Sequence, residues 1–169
     1  MHVVLVYDSK FGNTELIARS IADGLGEGRH AQLVRAEVGL PPTDDVALLI
    51  VGCPTQRHGL SPAMKQLLRS LPSGSLASVP VATFDTRYHL SRWLSGSAAR
   101  VAQRNLRRTG CRFVAPPESF FMQRDRGSPE HGRTLEDEGL EPGEVERARI
   151  WGERLAHHLP PRAAQPAGS

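Results

Sequence analysis

The chain has 169 residues, of which 39% are hydrophobic and 5% aromatic, and its formal net charge is +3. This composition suits one domain with a hydrophobic core, excludes an intrinsically disordered chain, and lacks the strong positive charge of a nucleic-acid-binding domain. Its two cysteines are too few for a disulfide framework, and its first apolar run is too short to span a membrane. We therefore expect a cytoplasmic domain over residues 1–158, with no nucleic-acid partner and no membrane span, and a flexible tail over residues 159–169.

Apolar runs of strand length alternate with segments of helical period along the chain. Strands are predicted at residues 3–7, 31–38, 46–54, 80–84 and 111–116. Helices are predicted between and after them, where apolar residues recur every three or four positions: around Ile17 and Ile21, from Ser61 to Leu71, from Leu94 to Leu106, and from Val145 to Leu155. This alternation predicts an α/β fold, in which a parallel sheet of five strands has helices on both faces. The polar residues 123–138 are predicted to form a long loop.

The link between the first strand and the first helix has the most informative sequence. It reads DSKFGNT, from Asp8 to Thr14. Gly12 allows a close approach to the backbone, Ser9, Asn13 and Thr14 offer side-chain donors, and a helix start favours an anion. The motif is neither the dinucleotide pattern G-x-G-x-x-G nor the Walker pattern. Two interpretations remain open: a phosphate cradle, or a turn in which Asn13 or Thr14 caps the helix.

Two further polar segments follow strands at the same edge of the predicted sheet. GCPTQRHG, residues 52–59, follows the third strand, and FDTRYHLSRW, residues 84–93, follows the fourth. With the Ser9–Thr14 motif, this order of segments resembles the flavodoxin-like family. Flavodoxin is a standard example of a doubly wound sheet with strand order 2-1-3-4-5 and FMN at the point where the strand order reverses. The resemblance therefore implies this three-layer fold and a non-covalently bound FMN.

The resemblance also assigns groups of residues to parts of FMN. The phosphate is expected to contact Ser9, Lys10, Phe11, Gly12, Asn13 and Thr14. One side of the flavin ring is expected to contact Pro54, Thr55, Gln56, Arg57, His58 and Gly59. The other side is expected to contact Asp85, Thr86, Arg87 and Tyr88, with Tyr88 as the stacking candidate. Because the flavin supplies the chemistry, no catalytic side chain and no metal ligand is predicted.

Three functions fit these expectations. The first is an electron-transfer protein that passes electrons between redox partner proteins through FMN. The second is an FMN-dependent NAD(P)H or quinone oxidoreductase with a small quinone-like substrate. The third is a flavodoxin-fold binding module that has lost FMN. A separate question concerns four arginines on the polar side of the third predicted helix, which form either a solvated face or a docking patch for an acidic partner: Arg100, Arg104, Arg107 and Arg108.

Overall fold

The computed structural model of the chain describes residues 2–26, 29, 31–56, 59–77, 79–88, 96–123 and 139–160. The strands are β1 (His2–Tyr7), β2 (Ala31–Arg35), β3 (Val46–Pro54), β4 (Pro80–Tyr88), β5 (Arg112–Phe113) and β6 (Glu118–Met122). The helices are α1 (Asn13–Gly24), α2 (Pro62–Ser70), α3 (Ala98–Leu106) and α4 (Glu144–Ala156), and a 3₁₀ turn follows α3 at Arg107–Thr109. Within these described ranges, no helix combines the length and the apolar character that crossing a bilayer requires.

The strands form one parallel sheet in the order β2-β1-β3-β4-β5. This order confirms the predicted 2-1-3-4-5 arrangement. The expectation of a single fifth strand is wrong, because β5 and β6 both pair with β4, one after the other along its length. Pro116 and Pro117 separate the two segments, and a proline has no N–H to donate to a strand ladder. Pairing with β4 stops before these prolines and resumes at Glu118.

Helices cover both faces of the sheet, which confirms the three-layer architecture. On one face, Val4, Leu49 and Val51 pack with apolar residues of α2 and α3. On the other, Leu5 and Ile50 pack with apolar residues of α1 and α4. Successive residues of a strand point to opposite faces, so an uninterrupted apolar strand such as β3 can contribute to both cores.

Several element boundaries differ from those predicted. β2 ends at Arg35, and Val38, which was expected to lie in that strand, is 80% exposed in a turn. β4 runs four residues past its predicted end and therefore includes Asp85–Tyr88, which were expected to lie in a loop. Leu71, expected in the buried stripe of α2, lies just after that helix and is half-buried. Leu94 lies outside the described residues.

The start of α4 also departs from its predicted apolar stripe. Val145 is 43% exposed, whereas the preceding residue, Glu144, is buried. A Glu144 carboxylate oxygen accepts a hydrogen bond from the backbone N–H of Phe121 in β6 at 2.8 Å, and it pairs with Arg147 at 2.6 Å. Hydrogen bonds and an ion pair make burial of this charge tolerable. A polar anchor therefore holds the first turn of α4 against the sheet where apolar packing was expected.

Candidate functional site

A cleft opens at the carboxyl edge of the sheet, between the β1–α1 loop, the residues after β3, and the ends of β4 and β6. It holds about 490 Å³ of empty space, a volume that includes its mouth open to solvent. The cleft is lined by Ser9, Lys10, Phe11, Asn13, Thr14, Pro54, Thr55, Gln56, Thr86, Arg87, Tyr88 and Met122. The structure thus brings together residues from all three segments that the sequence analysis selected.

The β1–α1 loop forms the first wall of the cleft. Gly12 is the N-cap residue of α1, and its φ of 86° lies in the left-handed region that favours glycine. Asn13 and Thr14 lie inside the first turn of the helix, so the interpretation in which either residue caps α1 is wrong. A side chain from before the cap supplies a hydrogen bond instead, because the Ser9 hydroxyl accepts one from the backbone N–H of Glu15 at 3.3 Å.

A hydrogen bond between two threonine hydroxyls joins the first wall to β4. The Oγ1 atoms of Thr14 and Thr86 are 2.7 Å apart, and either can be the donor. Each hydroxyl has one proton and two lone pairs, so this bond uses only one of the two protons. The threonine that accepts here keeps its own proton for another acceptor, and both residues line the cleft. The pair can therefore donate to an anion held at the start of α1.

Asp85 organises the opposite side of the cleft from beneath. It is fully buried, and its Oδ2 accepts hydrogen bonds from the Ser97 hydroxyl at 2.6 Å, the Ala99 N–H at 3.0 Å and the Thr55 hydroxyl at 3.2 Å. The Thr55 hydroxyl oxygen in turn accepts from the Ala98 N–H at 3.0 Å. These bonds attach the first turn of α3 to the segment after β3. A carboxylate at a helix N-terminus is also favourably placed in the helix dipole.

Asp85, which the resemblance assigned to one side of the flavin ring, thus has its side chain bonded within the protein. Asp85 is not among the residues that line the cleft, because its side chain is directed under α3. Its Oδ1 accepts no hydrogen bond from the described residues and lies 3.9 Å from Nε of Arg87. Asp85 is a positioning residue, and the cleft residue that it positions is Thr55.

The far end of β4 supplies a mixed polar and apolar wall. Arg87 is buried, donates to the carbonyl of Gly96 at 3.2 Å, and stacks over the ring of Phe121 at 5.3 Å. Tyr88 and Met122 are partners in the parallel pairing of β4 with β6, and both line the cleft. Sequence reasoning missed Met122 because it ended the fifth strand at Pro116. The run ESFFM that follows them is the signal that could have revealed it.

The segment after β3 forms a closed turn beside the cleft. Backbone hydrogen bonds link Gln56 and Gly59 in both directions, at 3.0 and 2.8 Å, and the Thr55 N–H donates to the carbonyl of Thr86 at 2.9 Å. Gln56 lines the cleft and Gly59 closes the turn. Arg57 and His58, which were also assigned to the site, lie outside the described residues.

The mouth of the cleft lies beside an aromatic side chain and a lysine. Phe11 is 37% exposed, and the ammonium nitrogen of Lys10 lies 4.9 Å from the centre of its ring. Nearby, a hydrogen bond from Arg19 and the charge of Arg35 hold the pKa of Glu15 below its ordinary value. Among the described residues that line the cleft there is no carboxylate. Because both arginines balance Glu15, its charge does little to oppose an anion at this end of the cleft.

The base of the predicted long loop lies next to the cleft. The N–H of Gln123 donates to the carbonyl of Gly139 at 2.9 Å, and the N–H of Glu141 donates to the carbonyl of Phe121 at 2.9 Å. Residues 139–141 therefore return alongside β6, where Met122 forms an antiparallel bridge with Leu140. Residues 124–138 themselves lie outside the described ranges.

Solved structures with this architecture are flavodoxins and related proteins. Flavodoxin 1 from Bacillus cereus superposes with a TM-score of 0.73 at 17% identity, covering 95% of this chain and 100% of that one. The flavodoxin of Streptococcus pneumoniae TIGR4 gives 0.70 at 18%, covering 94% and 100%. A WrbA-like flavodoxin from Agrobacterium tumefaciens gives 0.65 at 22%, covering 92% and 95%. No family model and no curated relative matches by sequence. The chain has the flavodoxin-like fold.

Proposed function

We propose that the protein binds FMN non-covalently in this cleft and acts as a redox protein that exchanges electrons with partner proteins. The observation that carries the proposal is the Thr14–Thr86 hydrogen bond at the start of α1, within a flavodoxin-like fold. It places two hydroxyls from distant parts of the chain at a helix N-terminus, where parallel α/β sheets bind anionic ligands. Bound FMN would supply the electron transfer, and the side chains would bind, orient and shield it.

The donor set around the start of α1 fits a phosphate group. Ser9, Thr14 and Thr86 provide hydroxyls, Lys10 provides a positive charge, and α1 begins beside them. A helix N-terminus stabilises a nearby anionic charge by about 0.3–1 kcal/mol. A hydrogen bond to a charged group is worth about 1.5–3 kcal/mol. Hydroxyl donors would therefore contribute more to phosphate affinity than the helix dipole.

The remaining lining residues fit a flat aromatic ring. Pro54, Tyr88 and Met122 present apolar or aromatic surface, and Phe11 adds an exposed ring at the mouth. Aromatic side chains stack on ring systems, and the thioether of methionine packs well against them. Tyr88 thus keeps its role as stacking candidate, and Phe11 is a candidate for the ring as well as for the phosphate loop.

A paired titration tests this proposal. The flavin-free protein is titrated with FMN and with riboflavin, which lacks the phosphate, and binding is followed by flavin fluorescence and absorbance. We expect FMN to bind at least tenfold more tightly, a difference of about 1.4 kcal/mol. Equal affinities would refute the phosphate assignment. No binding of either flavin would leave the third possibility, a binding module of the same fold.

The charge of the cleft favours a second candidate, an FMN-dependent oxidoreductase that acts on NAD(P)H or a small quinone. Lys10 and Arg87 line the cleft, and no carboxylate of the described residues does. Positive charge beside the flavin stabilises a reduced, anionic ring and also suits an anionic substrate. Steady-state oxidation of NADPH by the FMN-loaded protein, with and without a soluble naphthoquinone, separates this candidate from a protein-to-protein carrier.

A further inference from the structure

The charges of this chain are segregated along its sequence. Between Val46 and Pro117 there are ten of the 21 Lys and Arg residues but only one of the 18 Asp and Glu residues, which is Asp85. That segment has a formal net charge of +9, and the rest of the chain has −6. Asp85 is fully buried, so within the described part of this segment every exposed charge is positive.

The fold gathers five of these charges on one surface. α2 and α3 pack on the same side of the sheet, and Arg108 links them by donating to the carbonyls of Leu68 and Leu71 at the end of α2. Arg108 thus has a structural role in joining the two helices, although it remains exposed. We define the cationic face by the exposed basic residues of the two helices and the 3₁₀ turn other than Arg108: Lys65, Arg69, Arg100, Arg104 and Arg107.

Helix stability explains only part of the cationic face, because Arg69 and Arg104 lie in the last turns of their helices, where the dipole favours a positive charge, whereas Arg100 does not. Arg100 and Arg104 are four residues apart and Arg104 and Arg107 are three apart, spacings at which like charges destabilise a helix. Arg100 also lies in the first turn of α3, where the helix dipole disfavours a positive charge. No ion pair of the described residues involves the cationic face.

The opposite side of the sheet has a different charge pattern. There, Arg19 pairs with Glu15 at 2.8 Å, and Arg149 pairs with Glu146 at 2.6 Å. Neither α2 nor α3 has an acidic residue in its first turn, whereas α1 and α4 both do. Arg19, Arg147 and Arg149 are therefore paired within the chain, whereas the charges of the cationic face remain available to an external anionic surface.

The cationic face adjoins the cleft. The first residue of α3, Ala98, donates its N–H to the hydroxyl of Thr55, which lines the cleft, and Arg100 follows two residues later. α2 begins shortly after Gln56, another lining residue. A protein bound on this face would therefore lie beside the mouth of the proposed flavin site.

We propose that the cationic face docks an acidic electron-transfer partner protein. This inference rests on the proposed redox function and adds the chemistry of the partner. The exposed large apolar side chains of the described residues are Phe11, Leu16, Val38 and Val145, and none of them lies on α2 or α3. A charged surface without an apolar anchor gives fast, salt-sensitive and short-lived complexes, as small electron-transfer interfaces do. It offers neither aromatic rings for stacking bases nor apolar residues for insertion into lipid.

Two charge-matched double variants test the docking surface. Arg100→Gln with Arg104→Gln removes two charges from the cationic face, and Arg149→Gln with Arg154→Gln removes two from the exposed surface of α4. Stopped-flow kinetics measure electron transfer from the reduced, FMN-loaded protein to an acidic b5-type cytochrome. We expect the first variant to lower the second-order rate constant by about fivefold and to weaken its dependence on salt, because charge steering is lost. The second variant is expected to change it by less than about twofold.

A second measurement separates failure of docking from failure of the redox function. Sedimentation velocity follows the complex between flavin-free protein and the same cytochrome at low salt. If a complex forms and depends on Arg100 and Arg104, but no electrons are transferred, the docking surface is supported and the redox function is refuted. Equal effects of both variants would refute the docking surface. Self-association of the wild type through this face would also refute it. The same holds if duplex DNA or phosphatidylserine vesicles bind to the face more tightly than the cytochrome does at 150 mM salt, close to physiological ionic strength.

Discussion

The two walls of the cleft are built in different ways. The β1–α1 loop is a continuous stretch whose internal bonds are local, such as Glu15 N–H to Ser9 and Leu16 N–H to Gly12. The opposite wall is assembled around Asp85, whose partners lie 12 to 30 residues away in sequence. The first wall displays hydroxyls toward the cleft, whereas the second keeps its charged group buried. We therefore expect the first wall to contribute most of the polar contacts to a phosphate and the second wall to determine the shape of the cleft.

The largest expected effect is on stability, from Asp85→Ala. The substitution leaves Ser97, Ala99 N–H and Thr55 without their shared acceptor and removes the carboxylate next to the buried Arg87. Breaking a buried charged network typically costs about 3–5 kcal/mol. Urea unfolding followed by circular dichroism measures this loss, and Ser97→Ala, which removes one donor, should cost clearly less. A loss below about 1 kcal/mol for Asp85→Ala would show that the network does not hold the second wall.

The thiol of Cys53 reports on the second wall directly. Cys53 is the pairing partner of Asp85 across β3 and β4, it is buried, and burial raises its pKa. We expect a thiol reagent at pH 8 to label Cys111, which is half-buried, and to leave Cys53 unlabelled until the sheet opens. Labelling of Cys53 should be roughly 100-fold faster in Asp85→Ala than in wild type, because local opening follows local stability. If Thr14→Ala accelerates the labelling of Cys53 as much as Asp85→Ala does, then Cys53 does not report on the second wall in particular.

The Thr14 hydroxyl in the first wall should contribute to the affinity for FMN but not to the affinity for riboflavin. Thr14→Ala removes a donor at the start of α1 and is expected to weaken FMN binding by about 1–3 kcal/mol. Fluorescence titration provides the measurement, and Thr14→Ser, which keeps the hydroxyl, is the matched control. If Thr14→Ala weakens both flavins equally, the Thr14–Thr86 bond serves to join the walls and does not bind phosphate.

The smallest expected effect is the pH dependence from Glu15. Its pKa is lowered in the folded state by the hydrogen bond from Arg19 and the charge of Arg35, so it contributes stability above its unfolded pKa of about 4.3. That contribution is lost as the pH falls through the folded pKa. Arg19 is well exposed, so we expect Glu15→Gln to reduce the acid-induced loss of unfolding free energy by less than about 1 kcal/mol. Urea midpoints of both proteins at pH 3 and pH 7 measure this loss. If the difference between the two midpoints is the same in Glu15→Gln as in wild type, the prediction is wrong.

The sequence selected the lining residues of both walls except Met122, but it did not reveal how the second wall is held together. Gly12 and the hydroxyl residues around it are adjacent in the chain, and the requirements of a tight turn at a helix start are local. Asp85 was placed in a loop because the apolar run of β4 stops at Phe84, and a buried carboxylate inside a strand has no apolar signature. Met122 was missed for a related reason, since two prolines conceal that pairing with β4 resumes after them.

By itself the sequence determined how strands and helices alternate along the chain, because hydrophobic periodicity and the positions of Gly and Pro are local properties of the chain. It also selected three of the segments at the carboxyl edge of the sheet, since parallel strands run in the same direction, but it missed the end of β6. Tertiary structure alone decided that Asp85 lies under α3 instead of in the cleft, that Arg108 joins two helices, and that five cations share one surface. These outcomes depend on hydrogen bonds and packing between segments far apart in the chain, and no local pattern of residues specifies them.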